Sequence, residues 1–155
     1  MSSKYNYINE FWDLILSNKT KKIELGYKKW DSFKIKFPNY KKEIIKNFSG
    51  AFIDLYSKYN IHDFELVNVE YDTCNATVSI RLYDYYEDYS ENFYISFIYS
   101  GVSKFIINTN IYNRHLLWNN DIFIKHSKSK YQHRILLIDN NYICIDFKNI
   151  EVSIC

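Results

Sequence analysis

Nine residues between two strand-like segments, Tyr83-Asp84-Tyr85-Tyr86-Glu87-Asp88-Tyr89-Ser90-Glu91, bring four tyrosines and four carboxylates together. The chemistry these residue types support is recognition. Tyrosine offers a large, fairly rigid ring with a polar tip, and a row of carboxylates draws in a basic partner. A hairpin connection prefers two to five residues and a glycine. This one is longer and has no glycine. Asp84, Tyr85, Tyr86, Glu87, Asp88, Tyr89 and Glu91 are therefore the candidate partner-binding residues. The plainer alternative is that the flanking strands extend and the tyrosines pair across them.

Other constellations could break bonds, and the spacing argues against each. His62-Asp63 has the look of a metal-ligand pair. The remaining histidines (His115, His126 and His133) all follow it, without usable ligand spacing, and Asp63 reads as a turn residue. His133 sits in the strand-like run Tyr131-Gln132-His133-Arg134, with no nucleophile on a sharp Gly-flanked turn to serve it. Cys74 lies in the polar turn Asp72-Thr73-Cys74-Asn75, where an adjacent aspartate disfavours a thiolate, and Cys144 alternates within a strand. Glu65, Glu70 and Asp72 flank the first hairpin and read as solvated strand-edge acids. No Gly-rich dinucleotide loop, phosphate loop or HExxH helix occurs. The expectation is a protein that is not an enzyme and needs no cofactor or metal.

Charge is unevenly spread. Residues 1–60 carry twelve lysines against six acids, residues 61–100 one arginine against eight acids, and residues 101–155 seven basic residues against four acids. The lysines Lys19, Lys21, Lys22, Lys28, Lys29, Lys34, Lys36, Lys41, Lys42 and Lys46, with Trp30 among them, make nucleic-acid binding the alternative function. The absence of arginine from residues 1–60, arginine being the better planar reader of phosphate, argues against it. Lys, Asn, Ile, Tyr and Phe share A/T-rich codons. That accounts for part of the tyrosine total but not for its clustering with acids. Three widely spaced cysteines without a CxxC pair suit a reducing compartment. The start of the chain lacks an apolar signal core, and no apolar run exceeds four residues, so a cytoplasmic location with no membrane partner is expected.

The elements that would position these residues follow from periodicity. Ile8, Phe11, Trp12, Ile15 and Leu16 fall on one helical face. A second helix covers about residues 21–33, weakened by Gly26. From Pro38, Ile44, Ile45, Phe48, Phe52, Leu55, Tyr56 and Tyr59 keep one stripe, read as a single helix with a weak spot at Ser49-Gly50. From Asp63 the period becomes two. Ala76, Val78, Ile80 and Leu82 alternate with polar residues, as do Phe93, Ile95, Phe97 and Tyr99. Further strands are expected over 102–108, 121–125, 131–139 and 142–147, with the last carried by Ile150, Val152 and Ile154. Asp139-Asn140-Asn141 is a tight-turn signal. Helices first and strands after predict an α+β domain over residues 1–155, helical over 1–60 and sheet over 61–155. Two or three helices should pack on a curved antiparallel sheet of six to eight strands.

Residues 60–155 carry a family likeness. Ile61-His62-Asp63, Trp118 with Asp121-Ile122, Gln132-His133-Arg134-Ile135-Leu136, and the closing run Tyr142-Ile143-Cys144-Ile145-Asp146-Phe147-Lys148-Asn149-Ile150 resemble small bacterial proteins found among the immunity proteins of polymorphic toxin systems. The resemblance implies a helix-then-sheet fold and a protein partner, a cognate toxin that the chain neutralises by occluding it.

Overall fold

The computed structural model describes residues 6–17, 19–84, 93–109 and 116–155. The chain is α+β, and its described residues form four N-terminal helices followed by eight antiparallel strands. Contacts gather it into two compact units, Met1–Glu43 and Ile44–Cys155. No described helix is long and apolar enough to cross a membrane.

The first unit holds α1 (Asn6–Ile15), α2 (Thr20–Lys34) and most of α3 (Phe37–Ile45). Its core is aromatic. Phe33 meets Phe11 at 5.6 Å, Trp30 at 5.8 Å, Phe37 at 5.7 Å and Tyr40 at 5.6 Å between ring centroids. Gly26, which reads as a weak helix former, is where α2 meets the end of α1. A Cβ there would lie 2.7 Å from the Ile15 backbone nitrogen, so the missing side chain is what permits the approach.

The expected long helix from Pro38 is broken in two, giving four helices where two or three were predicted. α3 ends at Ile45, and α4 runs Gly50–Lys58. The cause is local capping. Asn47 Nδ2 donates to the Ile44 carbonyl at 2.8 Å. Ser49, with extended backbone, accepts from the Phe52 N–H through its hydroxyl at 3.2 Å. Ser49-Gly50 is thus a helix start, and the apolar stripe stays in phase across a break. Phe48, turned inward between the helices, packs on Phe52, Phe123 and Tyr131.

The second unit carries the strands β1 (Glu65–Asp72), β2 (Thr77–Tyr83), β3 (Tyr94–Ser100), β4 (Lys104–Asn108), β5 (Trp118–Ser127), β6 (Lys130–Leu137), β7 (Tyr142–Phe147) and β8 (Asn149–Ile154). They form two four-stranded sheets, ordered β1-β2-β3-β8 and β4-β7-β6-β5, rather than the one sheet expected. The two are joined at a corner. β3 passes to β4 through Gly101 at φ 64°, and β7 passes to β8 through Lys148 alone. Backbone bonds from Lys148 N–H to the Ser100 carbonyl and from Ser103 N–H to the Asp146 carbonyl keep both chains paired around the bend. At the far side the approach to β1 bonds to the start of β5: Leu66 N–H donates to the Leu116 carbonyl and Trp118 N–H to the Phe64 carbonyl, both at 2.8 Å.

The turns behave as their residues dictate. Asp139 and Asn140 both have positive φ, and Asn141 N–H returns to the Ile138 carbonyl, a type I′ geometry. At the β1–β2 turn Asp72 Oδ1 accepts from the Cys74 and Asn75 N–H groups at 2.9 and 3.1 Å. The first sheet keeps clean alternation, with Val78, Ile80, Leu82, Ile95 and Phe97 inside. In the second, the consecutive residues Asp121, Ile122, Phe123 and Ile124 are all buried. The described helices end at Lys58 and the strands begin at Glu65, and α4 belongs to the same compact unit as the strands.

Candidate functional site

The acidic tyrosine stretch begins on a rigid strand end. Asp84 follows β2 and donates its N–H to the Phe93 carbonyl at 3.0 Å. Its side chain is only 1% exposed, so Asp84 is not one of the surface acids that the sequence suggested. The reason is strand parity. Val78, Ile80 and Leu82 point inward, and Asp84 falls next in that series. Tyr83, of the opposite parity, points outward. Its ring lies 5.0 Å from that of Tyr94, its partner on β3. The Arg81 guanidinium sits 4.4 Å above the Tyr94 ring, and its Nη2 lies 3.6 Å from Cys155 Sγ. This aromatic and cationic cluster forms the root of the stretch. Tyr85, Tyr86, Glu87, Asp88, Tyr89 and Glu91 lie outside the described residues.

A second constellation lies in the core of the second unit, and no sequence spacing announces it. Asp121 on β5 gathers three donors. Tyr56 of α4 gives its hydroxyl to Oδ2, His133 of β6 approaches the same oxygen through Nε2 at 2.8 Å, and Trp118 gives its indole N–H to Oδ1 at 3.2 Å. On the other side of the imidazole, His133 Nδ1 lies 2.7 Å from the Tyr99 hydroxyl on β3. An ionised carboxylate only accepts, so Nε2 carries the proton and, in the neutral ring, Nδ1 accepts from Tyr99. Phe123 stacks on the imidazole at 3.8 Å with an interplanar angle of 17°. His133 is wholly buried. Burial, then the charge and hydrogen bond of Asp121, hold the Tyr56 phenol well above the ordinary tyrosine range; burial and then Asp121 do the same for Tyr99.

Histidine between a carboxylate and a hydroxyl is also the arrangement of a nucleophilic site. Here the hydroxyls are phenols that keep their protons, and every participant is buried. The arrangement ties α4, β3, β5 and β6 together, and each bond to the charged group contributes about 1.5–3 kcal/mol. Trp118 and Asp121 lie on β5 and His133 on β6. What joins them in sequence is strand parity: His133 pairs with Phe123, two residues beyond Asp121.

The remaining candidates are placed apart. His62 Nδ1 and Asp63 Oδ2 are 2.8 Å from each other and both exposed to solvent. Asp63 has φ 69° and donates its N–H to the Trp118 carbonyl, the turn role expected of it. Among the described residues no three His, Cys, Asp or Glu side chains are grouped to hold a metal. Glu70 accepts from Asn68, and hydrogen bonds from Asn75 hold the Asp72 carboxyl below the usual range. Cys74 and Cys155 are exposed, and burial pushes the Cys144 thiol up. Most of the lysines, Lys21, Lys22, Lys28 and Lys42 among them, lie exposed on the helices.

The class these features define is an α+β antiparallel-sheet protein with a braced core and an aromatic surface cluster. No family model and no curated protein matches the chain. It is similar to the crystal structure of an uncharacterized protein from Neisseria gonorrhoeae at 15% identity and a TM-score of 0.45, over 61% of this chain and 93% of that one.

Proposed function

We propose that the chain is a non-enzymatic protein-binding protein of the immunity type, which neutralises a cognate bacterial toxin in the cytoplasm by occluding it. The observation that carries this reading is the outward pair Tyr83 and Tyr94 with Arg81 upon it, set where the chain continues into three tyrosines and the acids Glu87, Asp88 and Glu91. Tyrosine and arginine are the residue types in which interface energy concentrates. Nearby carboxylates add steering toward a basic partner. Tyr85, Tyr86 and Tyr89 would supply the further anchoring rings.

The test is co-expression with the C-terminal toxin domain expected to be encoded immediately upstream. Wild-type chain should restore growth, and the combined variant E87S/D88S/E91S should restore it poorly and bind with a weaker salt dependence. Full rescue by that variant places the surface elsewhere. A salt-sensitive shift of labelled RNA or DNA by the chain, without rescue, would favour the lysine-rich helices and the nucleic-acid reading.

A further inference from the structure

Edge strands present unpaired backbone groups, and proteins blunt them with bulges, charges or covering elements. The edges of the two sheets are β1, β8, β4 and β5. β1 shifts register between Leu66 and Asn68 and carries Glu65, Glu70 and Asp72. β5 shifts register between Trp118 and Asn120 and again between Lys125 and Ser127. β8 has α4 packed against it and carries Glu151. β4, Lys104-Phe105-Ile106-Ile107-Asn108, keeps an unbroken register with β7, and its one charge, Lys104, stands opposite Asp146. Phe105 and Ile107 share the core-side face of their partners Ile145 and Ile143, yet Ile107 is 38% exposed where Ile143 is 0%. Tyr71 of β1, itself exposed, lies 5.3 Å from the Phe105 ring and widens the apolar strip. Ile106, on the other face, is exposed too. The ladder also fixes the backbone phase. Leu137 N–H of β6 donates to the Asn141 carbonyl at 2.8 Å, and Ser103 N–H donates to the Asp146 carbonyl at 2.9 Å. Antiparallel residues turn their N–H and C=O alternately to one neighbour and to the other. Tyr142, Cys144 and Asp146 therefore bond toward β4, and Asn108, Ile106 and Lys104 bond back. Phe105 and Ile107 turn their backbone groups to the open side, where neither has a backbone partner among the described residues.

We propose that β4 is a self-association edge, where a second copy of this chain adds its own β4 antiparallel across a two-fold axis at Ile106. The occupant follows from the symmetry of the strand. A register centred on Ile106 sets Phe105 against Ile107 of the second copy and Ile107 against its Phe105. Those are the residues whose backbone groups face the open side, so both pairs exchange their bonds. The same register brings Ile106 onto itself and Lys104 opposite Asn108, so no like charges meet. Centring on Phe105 would put Lys104 opposite Ile106, and centring on Ile107 would put Asn108 there. The centre at Ile106 alone matches apolar with apolar throughout, and it covers Phe105, Ile106 and Ile107 of both copies. An isologous contact of this kind closes at two copies and joins the two β4-β7-β6-β5 sheets into one. The contact involves no part of the connection between β2 and β3 and is independent of the immunity reading.

The test is analytical ultracentrifugation of the full chain over a concentration series, with melting temperatures recorded. Wild type should move to twice the chain mass as concentration rises. I106K sets two ammonium groups face to face on the axis from an exposed position. It should weaken dimerisation about tenfold or more at nearly unchanged melting temperature. Oxidative cross-linking in the background C74S/C144A/C155S then reads the register. I106C places two thiols on a non-bonded pair, with Cα atoms about 4.5 Å apart and within disulfide reach, and should link the copies. K104C, whose two Cα atoms would lie about 13 Å apart along the ladder, should not. A wild-type chain that stays monomeric up to about 1 mM overturns the proposal. So does a dimer of unchanged affinity in I106K, or a K104C chain that links as readily as I106C, since either puts the contact elsewhere. Should I106K melt early, the cross-linking pattern decides.

Discussion

Tyrosines gather in two regions of the second unit, with opposite consequences. In the core, Tyr56 and Tyr99 bracket the buried Asp121–His133 pair. At the end of β2 and β3, Tyr83 and Tyr94 face outward, where the sequence continues into further tyrosines and acids. Inside, no water can replace a lost partner, so each bond costs its full desolvation penalty when broken. Outside, water takes over at once and charges are screened, so the same residue types add little to stability.

The largest expected effect is in the core. D121A strips three buried donors of their acceptor, at about 1–3 kcal/mol each, and should destabilise the chain by about 3–5 kcal/mol, read by urea denaturation. A loss below about 1 kcal/mol, the surface range, would erase the contrast between the two regions.

Next comes Y99F, which leaves His133 Nδ1 without its donor and should cost about 1–3 kcal/mol. Combined with H133L it should cost far less than the two single losses added, because both remove the same bond.

Alkaline titration sharpens the same point. Burial holds the Tyr56 and Tyr99 phenols above the ordinary range. The unfolded chain therefore releases its protons first, once pH passes about 10. Their contribution is intact below that pH and is lost as pH climbs toward the folded-state values. The melting temperature should fall from about pH 9 to about pH 11, around the ordinary tyrosine pKa of about 10, and the double variant Y56F/Y99F should flatten that fall.

The smallest stability effect belongs to the surface. Y83S/Y94S should change stability by no more than about 1 kcal/mol, the scale of a cross-strand pair, while weakening partner binding.

The contrast also shows what a sequence makes legible. Strand parity gives β2 and β3 plainly, and carried one step further it places Asp84 inside with Leu82; the eye for a cluster of acids overrides it. Ser49-Gly50 interrupts an unbroken apolar stripe, and the capping hydroxyl of Ser49, not hydrophobicity, decides that a new helix starts there. The division into two sheets depends on a bend at Gly101 and Lys148 that leaves alternation unchanged on either side. Tyr56, Tyr99, Asp121 and His133 come from one helix and three strands. Each looks ordinary in its own segment, and only the sheet register and the placement of α4 bring them together.

The most direct measurement is calorimetric titration of the toxin domain that the proposal expects to be encoded immediately upstream into wild-type chain and into Y83S/Y94S, with both melting temperatures recorded. The account predicts tight binding to wild type and a loss of about tenfold or more in the variant, with melting temperatures nearly equal. Equal affinities, or a variant that loses binding only because it unfolds, would contradict it.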